Sequence, residues 1–130
     1  NEINVPGNAI KKAYLCHSHL KKINSGDILL FYRSRDMQKI TSVGIVDQKP
    51  IHTQNVEDVI RMVGNRTVYS YDEIALMTQK PILVILFRHH LDIKNFVKPP
   101  IVPQSIIEIS HEQYLNLKKG ADIDEHFTVS

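Results

Sequence analysis

The chain has no tryptophan, a single cysteine and only five glycines among its 130 residues. One cysteine, Cys16, rules out an internal disulfide and fits a reducing, cytoplasmic setting. Long apolar runs are also missing. The longest, Pro81 to Phe87, covers seven residues, far short of the roughly 20 that a membrane-spanning helix needs, so no membrane partner is expected. Nothing at the N-terminus resembles a signal peptide. The chain opens on Asn1 and not on Met, as expected for a processed chain or a domain cut from a longer protein. No glycine-rich phosphate loop, H-E-x-x-H or G-x-S-x-G is present. The fragment is therefore expected to have no catalytic residue, no cofactor and no metal of its own.

What is present suits one domain spanning 1–130, large enough to bury a core without staples. Hydrophobic content of 42% and charged content of 23% are ordinary for a globular protein. Charge is unevenly spread. Residues 1–50 hold eight Lys or Arg against four Asp or Glu, and residues 51–130 hold eight against ten. A local basic face is compatible with that distribution, although the composition does not demand a polyanion.

The centre of the pattern is Gly26-Asp27-Ile28-Leu29-Leu30-Phe31-Tyr32-Arg33-Ser34. Turn chemistry opens it, five apolar or aromatic residues follow, and polarity switches at Arg33. That reads as a strand buried on both faces. Ile40 to Asp47 makes its antiparallel partner across the charged loop Arg35 to Lys39, with Gly44 marking a bulge or a close backbone approach. Upstream, Asn8 to Leu15 is ambiguous between helix and strand end, His17 to His19 reads as loop, and Leu20 to Ile23 as one helical turn. Downstream, Asn55 caps a helix over Val56 to Val63 that Gly64 ends. Ser70 and Glu73 form a capping box opening a second helix, Ile74 to Thr78. Ile82 to His90 is the most strand-like segment. Asp92 to Pro103, with Pro99, Pro100 and Pro103, reads as a long connection. Ile106 to Ile109 reads as a short strand, Ser110 and Gln113 cap a last helix through Lys119, and 120–130 reads as a flexible tail. Strands interrupted by a helix pair give an α+β class.

Three stretches carry a resemblance: Ala13-Tyr14-Leu15-Cys16-His17-Ser18, the run Gly26 to Ser34, and Ile40-Thr41-Ser42-Val43-Gly44-Ile45-Val46. With Arg66-Thr67-Val68-Tyr69-Ser70, Val84-Ile85-Leu86-Phe87-Arg88 and Pro103-Gln104-Ser105-Ile106, they resemble the PUA-like superfamily. More narrowly, the chain is similar to the ASCH/EVE-type domains found behind bacterial GNAT-type acetyltransferase domains. The resemblance covers about Asn8 to Lys119. It implies a small mixed or antiparallel pseudo-barrel with flanking helices and a pocket on one side, where relatives bind RNA or modified nucleobases. It also implies a linked acetyltransferase domain as a partner, to which any acetyl transfer would belong. The tryptophans that many EVE-type pockets use for base stacking are absent, leaving Tyr14, Tyr32 or Tyr69 for that role.

The best candidate constellation is Tyr32-Arg33-Ser34: a stacking ring, a guanidinium fork suited to phosphate, and a hydroxyl. Its structural alternative is Arg33 paired internally with Asp27, Asp36 or Asp47. Arg88 and Arg66 carry the same two readings. Gln104-Ser105 either reads a base edge or closes a turn. Tyr14, His17 and Ser18 complete the expected ligand-binding set. Cys16-His17-Ser18-His19 lacks the paired ligands of a zinc site, and His89-His90 point to opposite faces. Cys16 as a nucleophile would need a nearby base; otherwise it is a small buried residue. Lys11, Lys12, Lys21, Lys22, Arg35 and Lys39 are either a phosphate-attracting face or solvated surface.

The expected function is a non-catalytic recognition domain binding RNA or a nucleotide-like, modified-base ligand and directing a linked acetyltransferase. The alternative is a protein-interaction or regulatory module with a vestigial pocket. A metal- or thiol-dependent hydrolase stands last.

Overall fold

The computed structural model describes residues 11–66, 69–100, 103 and 108–121. In chain order these form β1 (Lys11–Cys16), β2 (Ile28–Arg33), β3 (Lys39–Val46), β4 (Ile51–Thr53), α1 (Val56–Val63), α2 (Tyr71–Met77), β5 (Ile82–Val97) and α3 (His111–Ala121). The five strands make one antiparallel sheet in the order β1-β5-β3-β2, with β4 also paired to β5. The sheet curls into a half-barrel with three helices on it, an α+β pseudo-barrel as the sequence leads one to expect.

β5 organises the sheet. One of its edges pairs with β1 from Leu83 to Arg88. The other pairs first with β4 at Ile82 to Val84 and then with β3 from Phe87 to Val97. Its apolar alternation fills two compartments. Ile82, Val84 and Leu86 point outward and bury Val59, Val63 and Ile74 of α1 and α2. Leu83 and Ile85 point inward and meet Ile23, Val46 and Leu29. A third cluster joins Ile40, Val43 and Ile93 to Tyr114 and Leu117 of α3.

The expectation that Asp92 begins a long connection is corrected. β5 continues to Val97, with Leu91 and Ile93 at strand spacing, and the prolines lie just beyond its end. What allows this is two register irregularities, at Val43/Gly44 and between Ile40 and Ser42, which let one strand bend around the barrel. Leu20 to Ile23 forms no helical turn. The segment is irregular and is held by Lys49, whose ammonium donates to the carbonyls of Lys21 at 3.4 Å and Ile23 at 3.1 Å. Asn8 to Leu15 resolves as strand β1 over its described part.

The helix boundaries follow their caps. Asn55 accepts from the Asp58 amide at 3.0 Å, and Gly64, at φ 54°, ends α1 where a left-handed residue is needed. Ser70 and Glu73 form the reciprocal capping box, so α2 begins at Tyr71, earlier than the expected Ile74. Ser110 and Gln113 cap α3 in the same reciprocal way, at 2.8 and 3.0 Å. That helix runs on to Ala121, beyond the expected Lys119 and through Gly120. Glu108 and Ile109 are not strand, whereas Ile106, like the tail beyond Ala121, lies outside the described residues. Among the described residues no helix is long and apolar enough to cross a membrane.

Candidate functional site

The two ends of the sheet path, β1 and β2, curl toward each other, and an aromatic contact spans the approach. Tyr14 of β1 meets Phe31 of β2 edge-to-face, with ring centroids 6.4 Å apart and planes at 72°. Phe31 in turn packs on Phe87 of β5. Beside this contact opens a cleft of about 600 Å³. It follows β2 closely enough to take in residues from both of that strand's faces: Leu29 and Phe31 from one, Ile28 and Tyr32 from the other. Pro99, Pro100 and Pro103 also line it, with Tyr114 of α3. Polar groups at the cleft are few, among them Ser34, Asp27, Lys22 and His111.

The wall's electrostatics follow from burial. The Tyr14 phenol is pushed above its ordinary range, first by burial and then by the neighbouring Cys16 and Tyr69. Burial likewise raises the Cys16 thiol, against a smaller opposite pull from a hydrogen bond with the Ser18 backbone. Tyr114 is pushed up to about 12 by burial. All three therefore stay protonated at neutral pH, so the two that line the cleft, Tyr14 and Tyr114, bring no charge to it.

The expected site residues divide. Tyr14, Tyr32 and Ser34 line the cleft together. Arg33 does not. β2 has a register irregularity between Phe31 and Tyr32, and beyond it the Arg33 side chain is 55% exposed and paired with Asp36, one of the acidic partners weighed from the sequence. His17 donates from Nε2 to the Met77 carbonyl at 2.9 Å, tying the chain after β1 to the end of α2. Ser18 accepts from the Leu20 amide at 3.1 Å through its hydroxyl, and its carbonyl meets His52 Nε2 at 3.1 Å. Both serve local structure outside the cleft. Arg88 is exposed on β5, two residues past Leu86 and so on the outer face of the sheet. Arg66 lies 3.6 Å from Asp47, joining the α1–α2 connection to the end of β3. Gln104 and Ser105 lie outside the described residues. Among the described residues, no three His, Cys, Asp or Glu side chains converge as metal ligands would.

Sequence reasoning missed Phe31, Leu29, Tyr114 and the prolines as cleft residues. The signal for Phe31 was available, because Gly44 lies opposite Leu29, next to Phe31, in the ladder and a small residue there implies a bulky neighbour. The signal for Tyr114 was not, since α3 reaches the sheet only through tertiary packing.

No protein-family model and no curated protein matches the chain. Among solved structures, the crystal structure of a mutant of ZmASCH from Zymomonas mobilis superposes with a TM-score of 0.70 at 11% identity, covering 85% of each chain. At that identity the likeness is one of fold alone.

Proposed function

We propose that the chain is a recognition domain that binds RNA or a nucleotide-like ligand by holding a base in the cleft beside β2. The observation that carries this reading is the grouping of Tyr14, Phe31 and Tyr32 around a cleft of about 600 Å³. A space of that size is in the range of small-molecule sites. Flat aromatic faces with a few hydroxyls suit a base, which every aromatic side chain can stack against. Ser34 supplies a donor and acceptor at one end. The neutral character of the aromatic wall fits a base or nucleoside better than a free phosphate, since Lys22 is the sole Lys or Arg among the described lining residues. A targeting role for a linked N-acetyltransferase domain rests on the sequence resemblance alone.

Calorimetric titration with a panel of nucleosides and short RNAs tests the reading. Replacing Tyr32 with Ala is expected to lower affinity by about 1–3 kcal/mol, the usual loss when a base loses a stacking ring. Circular dichroism should show the variant folded. No heat of binding from any of the panel, or affinity equal in wild type and a Tyr14→Ala/Tyr32→Ala variant, would sink the proposal.

A further inference from the structure

The β2–β3 hairpin contains an arrangement that stability alone does not favour. Arg33 and Lys39 are directly opposite each other in the antiparallel ladder, and like charges in that relation repel. Asp36, the one acid between them, pairs with Arg33. Arg35 is exposed in the turn. Ile40 is opposite Val97 of β5, which brings the next residue, the exposed Lys98, alongside Lys39. Among the described residues, four cations thus meet at one end of the barrel against one acid. The next carboxylate along β5, Asp92, is opposite Ser42 and engages His89 at 3.4 Å.

The cluster is continuous with the cleft. Tyr32 and Ser34 line the cleft while Arg33 and Arg35 alternate with them on the outside; Pro99 and Pro100 line it while Lys98 precedes them. The Gln38 amide donates to the Arg33 carbonyl at 2.6 Å, closing the turn and fixing where these cations sit. A base seated against Tyr32 would therefore bring its flanking phosphates to the hairpin end.

We infer that Arg33, Arg35, Lys39 and Lys98 form a rail for the sugar-phosphate backbone of a single-stranded nucleic acid whose base enters the cleft. As regards the base, this rests on the reading given above; the rail itself rests on the register and the charges. Cations placed this way bind phosphate without reading sequence, and their mutual repulsion in the free protein is relieved by the polyanion.

The test is fluorescence anisotropy with a labelled single-stranded RNA of about ten nucleotides, titrated from about 50 to about 300 mM KCl. Three proteins are compared: wild type, Arg35→Ala/Lys98→Ala, and Tyr32→Ala. The double variant leaves the Arg33–Asp36 pair in place and is expected to bind about ten-fold more weakly. Its slope of log affinity against log salt should shrink by roughly 1.4, because two fewer phosphates of a single strand are neutralised. Tyr32→Ala should weaken binding with its slope unchanged. Unaltered slope and affinity in the double variant, with weakened binding in Tyr32→Ala, overturn the rail and leave the cleft reading standing. A reduced slope in the double variant with full affinity in Tyr32→Ala supports the rail and removes the cleft. Absence of RNA binding by wild type at the lowest salt, or capture only by vesicles of acidic phospholipid, overturns the rail.

Discussion

Phe31 and Phe87 pack with ring centroids 4.9 Å apart, and Gly44 lies against both rings. A Cβ placed on Gly44 would come within 2.9 Å of Phe87 and 3.1 Å of Phe31, and within 3.2 Å of the Arg88 carbonyl. The three residues come from β2, β3 and β5, so this contact fixes how tightly the half-barrel curls beneath the cleft.

Gly44→Ala should therefore destabilise the domain by about 1–3 kcal/mol, the usual range for overpacking. Urea denaturation measures this directly. A midpoint unchanged from wild type would show that the rings shift freely and do not set the curl.

Arg33→Ala should leave the fold nearly untouched. Both side chains of the Arg33–Asp36 pair are more than half exposed, and exposed pairs contribute about 0–1 kcal/mol. Thermal unfolding of Arg33→Ala and Asp36→Ala should agree with wild type within a few degrees. Loss of the folded state in either would make the pair a structural lock.

Tyr114 predicts the alkaline behaviour. Its phenol titrates near 10.0 when unfolded and at about 12 in the folded protein. The unfolded chain therefore loses this proton first as pH rises. The stabilising contribution is complete below pH 10.0 and is lost as pH climbs toward about 12. Denaturation at increasing alkaline pH should show wild type losing more stability than Tyr114→Phe. Parallel curves for the two proteins would contradict the assignment.

Cys16 should react slowly. Burial raises its thiol, so less thiolate exists at neutral pH than for a free cysteine. Iodoacetamide labelling at neutral pH should be slower in the folded protein than in urea. Rapid labelling of the folded chain would reveal an opening of the barrel at the end of β1.

Much of the architecture was legible in the residues. The runs Ile28 to Tyr32 and Ile82 to Phe87 declared strands through unbroken apolar character, and Asn55, Ser70 and Ser110 declared helix starts through capping chemistry. The extension of β5 to Val97 was not, because Arg88 to Asn95 is half-polar and needs α3 and β3 on either side to make its alternation meaningful. Of the expected site residues, Tyr14, Tyr32 and Ser34 line the cleft. Arg33 was misplaced for a definite reason: strict period-two geometry aligns it with Leu29 and Phe31, and the irregularity after Phe31 breaks that period.

The division of β5 between β1, β4 and β3 also constrains the order in which the domain assembles. The β2–β3 hairpin is local and closes on itself, but β1 pairs with Leu83 to Arg88, about seventy residues later. During synthesis from the N-terminus, β1 and the β2–β3 hairpin must wait, with an apolar face uncovered, until β5 emerges and inserts between them. Contacts so distant in sequence close slowly. Hydrogen exchange during refolding should find the hairpin amides protected first and those of β1 and Leu83 to Phe87 together, in one later step.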